Sequence, residues 1–128
     1  MLAAGAALAA TILLPATLEA GESATAQEIV AQVRTNNRAD LVTLRLSPPR
    51  ARLSELRIRS GHIPILLLAV EIEFADGTVA RHLTQESLAP GAQSRPVTVD
   101  PRRAVARILV SKKPGLRDGE TLLQLLAR

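Results

Sequence analysis

The chain contains no cysteine, tryptophan or tyrosine, and its single aromatic residue is Phe74. Without thiols, a disulfide framework, a Cys-based zinc or redox centre and a cysteine nucleophile are all excluded. With one aromatic ring, a site that works by stacking lacks its platform. Positive side chains are missing from the first 26 residues, whose only charged side chains are Glu19 and Glu22. Gly91, Gly115 and Gly119 stand singly in loops, so neither a G-x-G-x-x-G nor a P-loop spacing is present to cradle a phosphate.

What is present is a globular composition. The 128 residues are 47% apolar and 22% charged, which is one domain's worth of foldable chain. The 16 Lys+Arg against 12 Asp+Glu give a net charge of +4, and all the cations but Lys112 and Lys113 are arginine.

Residues 1–14, MLAAGAALAATILL, form an uncharged apolar run ending at Pro15. It falls short of the ~20 residues of a membrane-spanning helix and fits the apolar region of a secretory signal. A polar stretch follows, then Ala24-Thr25-Ala26, with small residues at the −3 and −1 positions of a signal-peptidase site. Residues 1–26 are therefore expected to be a signal peptide cleaved before Gln27, leaving a mature domain over 27–128. The usual N-terminal Lys or Arg is absent, as it would be in a signal peptide truncated at its start. The alternatives are an uncleaved anchor, the one case in which a membrane would be a partner, and an Ala-rich buried helix.

From Gln27 onward the hydrophobic period is two. Val42, Leu44 and Leu46 bracket Thr43 and Arg45; Leu56 and Ile58 alternate with Arg57 and Arg59; Val70, Ile72 and Phe74 alternate with Glu71 and Glu73. Turn residues punctuate the chain at Ser47-Pro48-Pro49, Ser60-Gly61-His62, Asp76-Gly77, Ala89-Pro90-Gly91, Asp100-Pro101 and Pro114-Gly115. This pattern predicts strands near 28–34, 40–46, 52–59, 64–74, 78–83, 94–99, 104–111 and 120–127. The fold class is all-β, a jelly-roll-like antiparallel β-sandwich of seven to eight strands. Asp76-Gly77 reads as a tight type I′ hairpin. Pro96 marks an edge strand. Ile65–Val70 and Leu122–Leu126 are apolar on both faces apart from Gln124, so each should be covered on both, centrally or by a partner chain. The C-terminal run reads as strand, with a short helix as the alternative.

The order LSELRIRS, VEIEFADGTV, GAQSRPVTVD, RRAVARILV and a final apolar strand resembles small exported bacterial β-sandwich proteins of unknown function, over about residues 28–127. The resemblance implies the fold and export, and assigns no functional residues.

Catalytic chemistry has little to build on. His62 lies in a turn and His82 in the strand after Asp76-Gly77, where a tight hairpin would bring it to Glu71, a structural partner. A metal centre needs three or more convergent ligands, and none is indicated. No serine lies in a G-x-S-x-G context. Glu71 and Glu73 share an outward face, expected opposite Arg57 and Arg59 as a solvated charge ladder rather than a glycosidase pair. The reading is non-enzymatic and cofactor-free. The candidate anion- or partner-binding residues are Arg102, Arg103, Lys112, Lys113 and Arg117, with a further basic cluster at Arg50 and Arg52. Arg103 and Lys112 bracket a strand, so they belong to opposite ends of the sandwich.

The function expected from the sequence is an exported, periplasmic or secreted, binding or adaptor module of the bacterial envelope. Its partner would be an envelope protein or an anionic polymer, and not nucleic acid. A cytoplasmic basic nucleic-acid-binding protein and a small hydrolase are the alternatives. Homo-oligomerisation is expected, if it occurs, through an edge strand beginning at Pro96 or through the Leu-rich C terminus.

Overall fold

A computed structural model describes residues 26–115 and 118–128. The segment expected to be a signal peptide, apart from Ala26, and Arg117 lie outside the described residues. Period-two alternation becomes eight strands: β1 Glu28–Asn36, β2 Leu41–Arg50, β3 Glu55–Ser60, β4 Ile65–Phe74, β5 Val79–Leu88, β6 Val97–Thr98, β7 Val105–Lys112 and β8 Glu120–Ala127. They form two antiparallel four-stranded sheets, ordered β1-β8-β3-β6 and β2-β7-β4-β5. The pairs β1 with β8, β2 with β7, β3 with β6 and β4 with β5 are nested like one long hairpin. Rolling that hairpin adds β3–β8 and β4–β7. This is jelly-roll connectivity, in which eight strands make two Greek keys.

The core is the sum of the inward-facing alternate residues. Leu56, Ile58, Leu123 and Leu125 from the first sheet meet Leu44, Leu67, Val70, Ile72, Val105, Ile108 and Val110 from the second, each at most 2% exposed. Each such side chain contributes roughly 1.5–3 kcal/mol when withdrawn from water. Phe74 belongs to this core.

The Asp76-Gly77 turn departs from the expected type I′ form. Phe74 and Thr78 close a three-residue loop, with the Phe74 N–H donating to the Thr78 carbonyl (2.9 Å) and the Gly77 N–H donating to the Phe74 carbonyl (2.9 Å). Of the loop residues only Gly77 has positive φ, 89°, as in a type I turn followed by a left-handed residue. The extra residue slips the register by one. Glu71 therefore faces Arg81, and His82 faces Val70. His82 is not the partner of Glu71.

A second correction concerns Arg57 and Arg59. β3 belongs to the sheet opposite β4, because the Gly61-His62 turn crosses between layers instead of folding a hairpin. Glu71 and Glu73 are paired instead by Arg81 (3.3 Å) and Arg107. They form a surface charge ladder, with different arginines from those expected.

The C-terminal run is a strand and lies inside its sheet, between β1 and β3. β4 is apolar on both faces for a different reason. A bulge at Leu68 switches its parity, so Ile65 and Leu67 point inward before it and Val70, Ile72 and Phe74 after it. Leu66 and Leu68 are left on the outer face, and Leu68 is 36% exposed. Pro96 does precede an edge strand, but β6 has only two residues. The chain before it is held by serine side chains instead: Ser94 Oγ accepts the Ile58 N–H (2.9 Å), and Ser60 Oγ donates to the Ala89 carbonyl (2.8 Å).

Candidate basic end of the sandwich

The sequence offers three separate basic clusters, and the roll unites two of them. β2 ends where β7 begins, with Arg50 opposite Val105. The next loop is tied across by the Arg52 N–H, which donates to the Pro101 carbonyl (2.7 Å). Arg50, Arg52, Arg102 and Arg103 therefore share one end of the sandwich, together with the β4–β5 loop that carries Asp76.

Three of these four arginines are held. Arg50 pairs with Glu28 at 2.8 Å. Arg102 grips Asp100 through two side-chain hydrogen bonds, at 3.2 and 3.1 Å. Arg103 lies over the Phe74 ring, 3.9 Å from its centroid, bonded to Thr78 and 3.5 Å from Asp76. A guanidinium over an aromatic face is held by the ring quadrupole. The fourth, Arg52, has positive φ, 66°, and its guanidinium has no partner among the described residues.

The three carboxylates here are held ionised. Hydrogen bonds from Thr78 are the main reason that Asp76 sits below the usual carboxylate range. A hydrogen bond from Arg102 does the same for Asp100, and one from Arg50 for Glu28. The end is thus a fixed array of guanidinium donors. Arginine presents a planar fork of N–H groups and does not deprotonate in proteins, so the array suits recognition of phosphate or carboxylate rather than proton transfer.

At the opposite end the expected residues separate. Lys112 is 1% exposed and points into the sandwich, where its Nζ donates to the Asn37 carbonyl (2.9 Å). Burial pushes its amine below the ordinary lysine range. It braces the turn after β1 and is not a surface binding residue, because its strand parity turns it inward. Lys113, one residue on, is exposed with its amine unpartnered among the described residues.

Two shallow hollows complete the surface. One of about 300 Å³ adjoins the basic end and is lined by Arg45, Arg107, Pro49, Phe74 and Gly77. Arg45 and Arg107 are direct cross-strand neighbours. The outward parity of Arg45 was legible in the sequence, but its register against Arg107 was not. The other, about 320 Å³, opens between the edges of β5 and β6 and is lined by His82, Thr84, Glu86, Arg95 and Pro96. There the Glu86 carboxylate accepts the Arg95 N–H (3.0 and 3.2 Å), which tacks the two edges together. His62 sits exposed in its turn, far along the chain from His82 and on a different element. Among the described residues no group of three His, Cys, Asp or Glu is placed to hold a metal ion.

No protein-family model matches the sequence, and no curated protein matches it. Among solved structures the chain is similar to one from infectious bursal disease virus, Gx strain, at 17% identity and a TM-score of 0.40. The match covers 80% of this chain and 30% of the viral one, so this chain spans less than a third of that protein's length. A likeness of that size adds nothing to the jelly-roll description, which rests on the strand order.

Proposed function

We propose that the chain is an exported, non-catalytic binding module that engages an anionic partner of the bacterial envelope through its basic end. The supporting observation is that Arg50, Arg52, Arg102 and Arg103, distant in sequence, share one end, with the Arg52 guanidinium unpartnered among the described residues and the others pre-positioned. Pre-positioned guanidiniums lose less side-chain freedom on meeting an anion than mobile ones do. Export rests on the apolar segment and the Ala24-Thr25-Ala26 site, and on the resemblance to small exported β-sandwich proteins.

The reading is tested on a sulfated-polysaccharide column eluted with salt, and by the intact mass of the protein from separated cell fractions. The expected results are salt-sensitive retention and a mass beginning at Gln27 in the soluble envelope fraction. Arg52→Gln combined with Arg102→Gln should lower the eluting salt clearly more than Arg34→Gln, a control at the opposite end. Equal shifts for the two variants, or no retention at all, would remove the basic end as the site. A cytoplasmic, full-length protein would remove export and bring nucleic acid forward as the anion.

A further inference from the structure

Strand register sets Arg45, Arg107, Glu73 and Val79 in one row across the outer face of the β2-β7-β4-β5 sheet. Arg107 stands between Arg45 and Glu73 and is paired with the glutamate. Arg45 is exposed, and its guanidinium has no partner among the described residues. Like charges directly opposite each other on paired strands repel. One carboxylate thus serves two guanidiniums, and one positive charge is left unbalanced.

The backbone opens at the same place. Between Arg107, which pairs with Glu73, and Val105, which pairs with Phe74, β7 carries the surplus residue Ala106. On its other side β2 spends the four residues 46–49 in passing from Arg45 to Arg50. Bulges interrupt pairing, bend the strand and recur next to active sites. Here they border the hollow of about 300 Å³, where Pro49, Ala106, Ala75 and Gly77 join the charged row. The last three of these are small and uncharged, and Gly77 borders open space. The volume is at the lower end of small-molecule sites, roughly 300–1,000 Å³, and gives room for one small unit.

We infer that this hollow binds a singly charged oxyanion, a carboxylate or sulfate ester on a sugar-sized unit, through Arg45 and Arg107. Arg45 supplies the unbalanced charge. Arg107, already held by Glu73, supplies a second fork at little cost in side-chain freedom. An anion seated between the two guanidiniums also relieves their repulsion. The inference deepens the proposed anionic role and rests on it: the basic end holds the partner, and the hollow selects one of its units.

An amide-resolved NMR titration of the protein at constant ionic strength tests this, with sodium glucuronate, glucose 6-sulfate and neutral glucose as probes. The expected result is millimolar binding of at least one acidic sugar, shifts centred on Gly77 and Ala106, and no binding of glucose. The tighter acid names the group. Arg45→Gln, an exposed change that leaves the core untouched, should weaken binding at least about fivefold. Glu73→Gln frees the Arg107 fork and should tighten binding about two- to fivefold. Failure of both acids to bind, or binding unchanged in Arg45→Gln, would overturn the inference. Arg52→Gln with Arg102→Gln separates it from the broader reading: that variant should lose column retention and keep its sugar affinity within about twofold. Retention that depends on Arg52 and Arg102 without sugar binding would leave the basic end standing and remove the hollow. Sugar binding that depends on Arg45 without column retention would do the reverse.

Discussion

The outer faces of the two sheets are built from the same alternation and finish differently. On the β1-β8-β3-β6 sheet, Arg59 donates to Gln124 (2.7 Å) and Gln124 to Gln32 (3.1 Å), one polar row across three strands. Beside it Leu126 is only 3% exposed, shielded by its cross-strand neighbours Ile29 and Arg57. On the β2-β7-β4-β5 sheet the corresponding central row is leucine, serine and alanine, and its two end leucines stand in solvent. One face closes on itself through side-chain hydrogen bonds; the other is left open. Cross-strand pairs are the unit of sheet stabilisation, so the difference lies in which outward residues the register makes opposite one another: Arg59, Gln124 and Gln32 bond across their row, and Leu41, Ser111, Ala69 and Leu83 do not.

That comparison can be broken from the inside first. Leu125→Ala in the first sheet and Ile108→Ala in the second, both fully buried, should each lower the unfolding free energy by about 2–5 kcal/mol, measured by urea denaturation. A cost below about 1 kcal/mol for either would mean that its side chain is not packed in the shared core.

Gly115→Ala comes next. A Cβ there would collide with the Asn37 side-chain amide. Asn37 is buried, and its carbonyl takes hydrogen bonds from both Lys112 Nζ and the Gly115 N–H (2.9 Å). The clash should cost about 1–3 kcal/mol, read from the same denaturation curves. A neutral result would show that the Asn37 turn yields freely.

The finished face should be more sensitive than the open one. Gln124→Ala breaks both bonds of the polar row and should cost about 0.5–1.5 kcal/mol. Leu83→Ser removes an exposed leucine and should leave the stability of the monomer within about 0.5 kcal/mol. If Leu83→Ser proved the more damaging in dilute protein, the outer leucine row would have a role in folding.

The smallest effect is a pH dependence carried by Lys112. Burial depresses its folded value below the ordinary lysine value of 10.5. Between those two values the unfolded chain holds a proton that the folded chain has released, so stability rises with pH across that window. Below the window both states are protonated and the burial cost stays constant. Lys112→Met should abolish that alkaline rise. At neutral pH it should leave stability unchanged or raised by about 1 kcal/mol, because the Asn37 carbonyl keeps its bond from Gly115. An identical alkaline profile in the variant would show that Lys112 is not the titrating group.

Much of this molecule is written in local pattern. Period-two alternation between turn residues gives strands, because a pleated chain puts successive side chains on opposite faces. It located every strand to within a few residues of where it lies in the structure, except that β2 runs on past the proline pair that seemed to end it, β5 runs on beyond residue 83 to Leu88, and β6 is shorter than its segment. The pairing of Leu56, Ile58, Val70, Ile72 and Phe74 in one core was legible for the same reason, and so was the separation of Arg103 from Lys112 by the length of one strand.

What the sequence could not determine is which strand lies beside which, and by how many residues. One extra residue in the turn after Phe74 moved Glu71 from His82 to Arg81, because a hairpin's register follows its loop geometry. The choice of a sheet-crossing turn after Ser60 separated Arg57 and Arg59 from the glutamates, since strand order in a roll is set by burying both sheets at once. A bulge at Leu68 turned an apparently two-faced strand into one with an inward core and an outward leucine strip. The buried Lys112, the gathered arginines and the open leucine face all exist only through long-range pairing. Local sequence sets how each segment is shaped, while closing a common core decides what each segment meets.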